Sequence, residues 1–288
     1  MNNKKFYEDI TIVIVSYKST KKIIDFVKMI PIFFKIIIVD NSNDYEIKNQ
    51  LSNFKNIDIF FKENNGVSSA INFASSQVKT NYFFQISPDL IFDFNELEFF
   101  YNKAKKINDK FSALGPRFIN VDPKSHKQSN PNDELGYIKS IHGSAMFINK
   151  KNFDYVKGFD ENIFLYFEET DYCIRCEKNN LKSYQLNTVK IKNNGRSVEL
   201  KDEYEEYKLQ MLLSWHFIWS KYYCYNRHYN KLFIFLYFQL ILIRSLIKMS
   251  LFFILRKKNK FDKYKYRING LISSIIGKKS YLRIDKIL

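Results

Sequence analysis

The feature that most constrains the fold is an alternation of short apolar runs with helical patterns in the first ninety residues. Residues 10–15 (ITIVIV) and 36–39 (IIIV) are β-branched runs bounded by polar residues, which is typical of strands buried on both faces of a parallel sheet. Between them, Ile23, Ile24 and Val27 recur at helical spacing. This order predicts a strand–helix–strand unit and therefore an α/β fold.

Two further strands extend the same pattern. Residues 57–61 are predicted to form a third strand, which a helix over residues 68–78 follows, and residues 82–86 form a fourth. Strands that alternate with helices indicate a mostly parallel, Rossmann-like sheet flanked by helices. Such sheets bind ligands beyond the carboxyl ends of their strands.

Polar residues stand at the end of each predicted strand. They are Ser16 and Tyr17 after the first, Asp40, Asn41 and Ser42 after the second, Asn64, Asn65 and Gly66 after the third, and Asp89 after the fourth. Each group on its own could be an ordinary turn. Because parallel strands end at one edge of the sheet, the four groups together predict a ligand site there.

The positive charge is concentrated at the C-terminal end. The chain has a net charge of +16, and residues 211–288 contain sixteen Lys and Arg against Asp262 and Asp285, a net charge of +14 that leaves +2 for residues 1–210. We therefore expect one domain over 1–210 and a basic, aromatic helical segment over 211–288. The segment's charge favours an anionic partner such as phospholipid, nucleic acid or a phosphorylated lipid.

Residues 232–255 are strongly apolar but contain Gln239, Arg244 and Lys248. A membrane-spanning helix needs about 20 apolar residues, and each mid-span Arg or Lys costs roughly 2.5–3.5 kcal/mol. The pattern favours a helix that lies on an anionic membrane surface. The alternative is a helix that packs on the domain over 1–210 with a solvated basic rim. With no export signal evident at the N-terminus, we expect a cytoplasmic protein, peripheral on the inner face of the plasma membrane.

The cysteines predict packing rather than chemistry. Cys173, Cys176 and Cys224 are too few for a disulfide framework, which fits a reducing compartment. Cys173 and Cys176 form one C-x-x-C without a second pair, so burial in a helix is a better interpretation than zinc or redox use.

Six motifs occur in an order and spacing that identify a family. They are VSYKS (15–19), VDNSND (39–44), ENNGVSSAIN (63–72), SPD (87–89), GSAMFINK (143–150) and GFDENIFLYFEETDYCIR (158–175). Over residues 10–200 the chain resembles the family 2 glycosyltransferases, and within them the rhamnosyltransferase-like branch. The resemblance implies a GT-A fold. It also implies an inverting hexosyltransferase that moves a sugar, such as the deoxyhexose rhamnose, from a nucleoside-diphosphate sugar to a lipid-linked or polysaccharide acceptor in cell-surface glycan synthesis.

The resemblance also implies where the donor binds. Asp40 would contact the base, as an acceptor for a pyrimidine N–H, whereas the alternative interpretation is an Asx turn that closes the strand. Asn65, Gly66 and Asn72 match the family's donor-binding segment, and Gly66 permits a positive φ. The predicted donor site also includes Ser16, Tyr17 and Asn41.

For the diphosphate, the family's D-x-D-like motif with a divalent metal corresponds to Ser87-Pro88-Asp89, so Asp89 alone would bind Mg²⁺ or Mn²⁺. Lys192 stands where relatives carry a metal-assisting His. We hypothesise that Lys192, with Arg196, replaces part of the metal's charge. The alternative is that this loop has drifted and that Asp89 and the diphosphate hold the metal weakly.

Three carboxylates are candidates for the base that activates the acceptor hydroxyl: Glu168, Glu169 and Asp171. In a helix from Glu168, Glu169 shares the apolar stripe with Tyr172 and both C-x-x-C cysteines. Asp171 would pair with Arg175 four residues on and act structurally. Relatives usually carry Asp at the position of Glu169, which is one methylene longer. Glu168 would bind the acceptor or cap the helix.

Two other functions fit parts of the sequence. The charge of +16 and 17% aromatic residues could belong to a nucleic-acid-binding protein, but no nucleic-acid-binding motif is present and the charge lies away from the predicted sheet. The chain could instead be a catalytically weak relative, because the His is replaced by Lys and the expected Asp by Glu.

Overall fold

The computed structural model describes residues 5–121 and 127–287. Within these ranges the strands are β1 Ile10–Ser16, β2 Lys35–Asp40, β3 Ile57–Phe61, β4 Tyr82–Ile86, β5 Leu90–Ile91, β6 Phe111–Phe118, β7 Leu135–Tyr137, β8 Ala145–Asn149 and β9 Lys182–Asn193. The helices are α1 Thr20–Val27, α2 Glu46–Gln50, α3 Val67–Gln77, α4 Leu97–Lys106, α5 Lys150–Tyr155, α6 Glu168–Glu177, α7 Glu203–His228, α8 Lys231–Ile254 and α9 Lys258–Ile275.

The first four strands form the predicted parallel layer. The sheet has the order β3-β2-β1-β4-β8-β6-β9-β5, with β7 paired to β9, and β1 to β4 run parallel to one another. Ser16 lies opposite Asp40 at the ends of β1 and β2. The predicted α/β fold class and the four predicted strands are therefore confirmed.

Alternate side chains of β1, β2, β4, β6 and β8 enter the two apolar layers that sandwich the sheet. Ile12 and Ile14 of β1 pack into one layer with Phe26 of α1. Val13 points the other way and packs into the second layer with Ile71 of α3 and Cys173 of α6. Because both faces are covered, these strands are predominantly apolar. The second layer holds α3 and α6 on the same face of the sheet.

The second half of the sheet is mixed. β8 runs antiparallel between β4 and β6, whereas β9 is parallel to β6. β9 carries polar side chains inward. Ser183 bonds to Ser112 at 2.6 Å, and Asn187 donates to the carbonyls of Asn130 and Asp133. Hydrogen bonds satisfy this buried polar strand.

The chain divides into two compact units. One contains the residues up to Phe159 together with Glu169–Glu199, and the other contains Asp160–Glu168 and the residues from Leu200 onward. Met211, where the basic composition begins, lies inside α7. The functional boundary expected after residue 210 stays a prediction, since a compact unit need not coincide with a functional domain.

The second unit is built from α7, α8 and α9, which confirms the predicted helical appendage. α7 and α9 approach closely because Gly270 has no side chain: a Cβ there would lie 2.6 Å from the carbonyl oxygen of Trp215. The indole of Trp215 donates to Asn269 at 2.8 Å. In the described ranges, α8 is the one helix whose length and composition would suffice to cross a membrane.

Candidate active site

Asp40 organises the loop at the end of β2. Its side chain is fully buried, and its carboxylate accepts hydrogen bonds from the Ser42 amide at 3.1 Å, the Ser42 hydroxyl at 2.8 Å and the Asp44 amide at 2.9 Å. The Asx turn of the alternative interpretation is therefore present. The predicted contact between Asp40 and a base stays a prediction.

Asn41 is the next residue, and its amide N–H donates to the Ser16 carbonyl at 2.8 Å. Its side chain is only 6% exposed, and among the described residues Oδ1 has no hydrogen-bond partner. An unsatisfied buried acceptor costs about 1–3 kcal/mol. A donor N–H from a ligand would remove that cost.

Ser16, at the end of β1, is buried, and its hydroxyl lies 3.1 Å from that of Ser19. The half-buried Tyr17 follows it.

The loop after β3 leads into α3 through Gly66. Gly66 has φ +97° and is the N-cap residue of α3, so the predicted need for a positive φ is confirmed. Its amide donates to the Asn64 side chain at 3.3 Å. The side chain of Asn65 is exposed. The amide groups predicted to contact the donor thus stand at the carboxyl edge of β3.

Asn72 clamps α3 to the turn at the end of α5. Its amide nitrogen donates to the Phe159 carbonyl and its oxygen accepts from the Phe159 amide, both at 2.9 Å. Gly158 makes this approach possible, because a Cβ there would lie 2.5 Å from the Asn72 oxygen. The structure gives Asn72 a positioning role, and its direct contact with a donor stays a prediction.

The end of β4 is bonded to the loop before β8. The Ser87 amide donates to the Ser144 carbonyl at 2.8 Å, and the Ser87 hydroxyl donates to Oδ1 of Asp89. The Ser144 hydroxyl lies 2.6 Å from Nδ1 of His142. Asp89 is half-buried. Residues 142–144 therefore lie directly against the motif that contains Asp89.

Glu169 lies on the other side of this loop. A Cβ on Gly143 would stand 3.4 Å from Oε2 of Glu169 and 3.6 Å from its Cβ and Cγ. The nearly buried Gln85 of β4 donates its side-chain amide to the Gly143 carbonyl. One short loop thus touches both the Asp89 motif and Glu169, and the sheet edge brings the two predicted carboxylates together.

Burial raises the pKa of Glu169 above its ordinary value of 4.5, although a hydrogen bond from the Thr170 hydroxyl to Oε1 at 3.0 Å acts in the opposite direction. A carboxylate with a raised pKa is a stronger base. This property suits the role predicted for Glu169. Glu168, which is also buried, belongs to the second compact unit.

Asp171 is fully buried and pairs with Arg175, whose Nε lies 2.7 Å from Oδ2. The predicted pair four residues apart is confirmed. The guanidinium also donates to the carbonyls of Val156 and Gly158, both at 2.6 Å. Arg175 therefore ties α6 to the turn that Asn72 holds. This arrangement favours a structural role for Asp171, and its catalytic assignment stays a prediction.

The residues immediately before α6 have unusual backbone geometry. Tyr166 and Phe167 have φ values of +66° and +69°, a left-handed conformation that costs non-glycine residues about 1–3 kcal/mol each. Both rings contact Phe217, with centroids 5.6 and 5.5 Å away. Burial raises the pKa of Tyr166 to about 12.

The segment that contains Lys192 is brought to the Asp89 motif by strand pairing. Leu90 and Ile91 of β5 pair with Asn193 and Lys192 of β9, and the Asn194 amide donates to the Asp89 carbonyl at 2.7 Å. Lys192 and Arg196 are exposed. Their backbone is therefore placed beside the motif, and the charge-replacement role stays a prediction.

The carboxylate of Asp89 is chemically suited to bind a divalent cation. Its carboxylate is half-buried, and one oxygen already accepts from Ser87. Mg²⁺ and Mn²⁺ prefer oxygen ligands, and Mg²⁺ sites commonly combine one or two carboxylates with substrate phosphates. Asp89 with the diphosphate is such a set.

The C-x-x-C cysteines are packing residues. Cys173 and Cys176 are free and buried, and burial raises their pKa values to about 11 and about 12. A thiol with so high a pKa is a poor nucleophile at neutral pH. The predicted packing role is confirmed.

Sequence reasoning missed Gln85. It was included only as part of an apolar strand, although a long polar side chain inside a buried strand is a signal of a specific hydrogen-bonding role. Its Oε1 has no hydrogen-bond partner among the described residues. Gln85 belongs to the site because its Nε2 donates a hydrogen bond to the Gly143 carbonyl.

Comparison with known families decides the classification. The family model described as "Glycosyl transferase family 2" matches residues 8–169. The chain belongs to glycosyl transferase family 2. The matched range includes Asp40, Asp89 and Glu169, and the predicted family is confirmed. The rhamnosyltransferase-like branch stays a prediction.

The similar curated proteins are also glycosyltransferases. The chain is 24% identical over 205 residues to a low-salt glycan biosynthesis hexosyltransferase of Haloferax volcanii, a match that covers 63% of this chain and 66% of that protein. It is 28% identical over 141 residues to an uncharacterized glycosyltransferase of Rickettsia typhi, over 44% of each chain. The match therefore spans less than two thirds of either relative. Both relatives are named as glycosyltransferases, which agrees with the family of this chain.

Solved structures share the fold. A mannosyltransferase of Pyrobaculum calidifontis, in complex with GDP-Man and Mn²⁺, superposes with a TM-score of 0.59 at 12% identity, over 94% of this chain and 88% of that one. TarS of S. aureus, in complex with UDP-GlcNAc, superposes with a TM-score of 0.55 at 14% identity, over 96% and 93%. The predicted GT-A fold is confirmed.

Proposed function

We propose that this glycosyltransferase moves a sugar, with inversion, from a nucleoside-diphosphate sugar to a hydroxyl of a glycan or lipid-linked acceptor in cell-surface glycan synthesis. One observation carries the proposal: residues 142–144 touch the Asp89 motif on one side and Glu169 on the other. Inverting transfer needs a base for the acceptor and charge stabilisation for the leaving group, in one place.

Glu169 acts as the general base in this proposal. Its carboxylate takes the proton of the acceptor hydroxyl while the hydroxyl oxygen bonds to the anomeric carbon of the donor sugar. The bond from that carbon to the diphosphate oxygen breaks, and the nucleoside diphosphate leaves with the electron pair. Burial supports the role because it raises the pKa of Glu169 and so strengthens the base.

The leaving diphosphate carries the developing negative charge. Asp89 is the residue that would hold a divalent cation, which supplies charge neutralisation at the phosphates when bound. Lys192 lies on β9, which pairs with β5 directly after Asp89, and Arg196 lies in the loop that follows β9. Both side chains are exposed. We propose that they supply further positive charge there.

In this proposal the nucleobase of the donor binds at the carboxyl ends of β1 and β2. Asp40 fixes the loop through its three hydrogen bonds, and the unsatisfied Oδ1 of Asn41 accepts from the base. The similar solved structures contain UDP-GlcNAc and GDP-Man, which supports a nucleotide-sugar donor. A deoxyhexose such as rhamnose is the sugar that the branch resemblance favours.

A thermal-shift screen of nucleotide sugars, with and without Mg²⁺ or Mn²⁺, tests donor binding because a ligand of the folded state raises the melting temperature. We expect one nucleotide sugar to stabilise the chain and to be hydrolysed slowly without acceptor. Binding without any hydrolysis or transfer would indicate the catalytically weak relative. Stabilisation by nucleic acid alone would contradict the proposal.

The metal's share of the charge has its own test. If Lys192 and Arg196 replace part of it, chelation with EDTA should leave measurable activity, and Lys192→Gln should make the remaining activity more sensitive to EDTA. Complete loss of activity on chelation, with full recovery on adding Mg²⁺ or Mn²⁺, would contradict the charge-replacement hypothesis.

A further inference from the structure

α8 has two different faces. Phe238 and Ser245 are buried, and the helix packs by this face against a cluster that includes Tyr222 of α7 and Leu271 of α9. The ring of Phe238 meets that of Tyr222 with centroids 5.1 Å apart. One side of α8 is therefore committed to the second compact unit.

The opposite face of α8 is apolar and exposed. Its side chains recur at helical spacing and are Leu232, Leu236, Leu240, Ile243, Ile247, Leu251 and Ile254. Phe253 and Ile254 are 69% and 75% exposed. Soluble monomers rarely expose a continuous apolar face of this length, and such a face marks an interaction surface.

The two basic residues of α8 border this face rather than interrupt it. Arg244 and Lys248 follow Ile243 and Ile247 by one residue each, about 100° around the helix, and both are exposed. Lys248 Nζ lies 5.6 Å from the ring centroid of Tyr264 on α9. A long basic side chain at the edge of an apolar face can extend its charge to a phosphate while its stem stays in apolar surroundings.

The charge around the face has one sign. α8 contains no acidic residue, and residues 231–287 contain fourteen Lys and Arg against two acidic residues. Arg256, Lys257, Lys258 and Lys260 are all exposed where α8 turns into α9. An apolar face bordered by cations is complementary to a surface with apolar chains below an anionic layer.

We propose that the exposed face of α8 lies in the boundary between headgroups and acyl chains of an anionic lipid bilayer. Arg244, Lys248 and the basic turn contact the lipid phosphates. This inference rests on α8 and α9 alone and is independent of the sugar-transfer proposal.

The packing of α9 decides between lying on the bilayer and crossing it. The ring of Phe252 stacks on that of Tyr264 at 5.7 Å, and Phe253 meets Phe261 at 5.7 Å, so the C-terminal end of α8 runs beside the first half of α9. That half contains Lys258, Lys260, Asp262, Lys263 and Lys265. Hydrocarbon excludes so many charges, and α8 therefore lies along the surface.

A second copy of the chain is the competing occupant, and two observations disfavour it. The exposed face includes Phe233, Phe235 and Phe253 beside the leucine and isoleucine stripe, so it is wider than the narrow seam of a two-helix contact. A second copy would also bring the same positive charge to the interface, without acidic residues on α8 to pair with it.

Vesicle flotation of the full chain tests the proposal. We expect binding to vesicles of phosphatidylcholine mixed with phosphatidylglycerol, and at least about tenfold weaker binding to phosphatidylcholine alone. The double variant Ile243→Glu, Ile247→Glu should lose binding to both. Its control is Ile32→Glu with Ile119→Glu, which adds the same charge at exposed isoleucines of the other unit and should bind like the wild type.

A second variant isolates the charge. Replacing Arg256, Lys257, Lys258 and Lys260 with Gln should weaken binding to the anionic vesicles by about tenfold or more. Replacing the exposed Lys28, Lys48, Lys55 and Lys110 with Gln removes the same net charge and should change binding little. Equal loss in both quadruple variants would contradict a specific contact at the turn.

The oligomeric state without lipid completes the test. We expect a monomer by light scattering, with the wild type and the Ile243→Glu, Ile247→Glu variant alike and with equal melting temperatures. Failure of the wild type to float with anionic vesicles would overturn the proposal. A lipid-free dimer that this double variant dissociates would assign the face to a second copy and would also overturn it.

Discussion

Glu169 packs its carboxylate against Gly143, where a Cβ would lie 3.4 Å from Oε2. A methyl group at this distance is in ordinary contact, so Gly143→Ala should fold normally while it removes water from the carboxylate. Less hydration raises the pKa of Glu169 further. We expect turnover to fall by about tenfold and the acidic limb of the pH–rate profile to move to higher pH. An unchanged pH–rate profile would contradict a catalytic role for the part of the Glu169 carboxylate that faces Gly143.

Gln85 is expected to position the loop that joins the two carboxylates. Gln85→Leu removes the donor to the Gly143 carbonyl and should cost about 1–3 kcal/mol of stability, because that carbonyl loses its partner. It should also lower kcat by about tenfold with little change in the donor's KM. Steady-state kinetics and urea unfolding measure the two effects. Lower stability with normal kcat would reduce Gln85 to a structural residue.

The stability of the chain should depend on pH through Glu169. Its folded-state pKa is raised above the ordinary value of 4.5, so the folded chain holds this proton more tightly than the unfolded chain. The contribution to stability is present below about pH 4.5 and is lost as pH rises through the folded-state pKa. Glu169→Gln should therefore gain about 0.5–2 kcal/mol relative to the wild type at neutral pH.

Urea unfolding of both proteins at pH 5 and pH 8 measures this difference. The advantage of the Gln variant should grow as pH rises. Two stability curves that stay parallel across this range would mean that the burial of Glu169 carries no cost.

Arg175 should be essential for stability because it pairs with the buried Asp171 and joins α6 to the turn at Gly158. Arg175→Met leaves a buried carboxylate without its cation and should cost about 3–5 kcal/mol. Arg175→Lys keeps the charge but not the planar fork of donors, so it should recover only part of the loss. Chemical denaturation at neutral pH tests this order, and a loss below about 1 kcal/mol for Met would contradict it.

The parallel half of the sheet could be predicted closely because continuous β-branched runs are typical of strands buried on both faces. β3 was predicted over residues 57–61, where the structure has it, and the start of α6 at Glu168 was expected as well. The polar ends of these strands followed from topology. Asp89 could thus be placed at the sheet edge from topology, whereas Glu169, which lies on α6, was assigned through the resemblance to the family.

β9 could not be predicted in the same way. Its inward side chains include Ser183, Gln185 and Asn187, which read as a polar, solvent-exposed pattern until their partners are known. Those partners are Ser112 and the backbone and side chains of residues 128–133, distant in sequence. The role of Asn72 was hidden for the same reason, since its side chain bonds to the backbone of Phe159, which only the fold brings near. The Asx turn of Asp40 is local and was one of the two interpretations that the sequence allowed.

Steady-state turnover of Glu169→Gln, measured with a donor that stabilises the wild type, tests the central claim most directly. Gln keeps the shape of the side chain but cannot accept the proton as a carboxylate does. We predict that turnover falls by about 10²-fold or more, while the donor's thermal shift is unchanged and the exposed control Glu98→Gln stays active. Turnover within a few fold of the wild type would contradict the claim that Glu169 is the base.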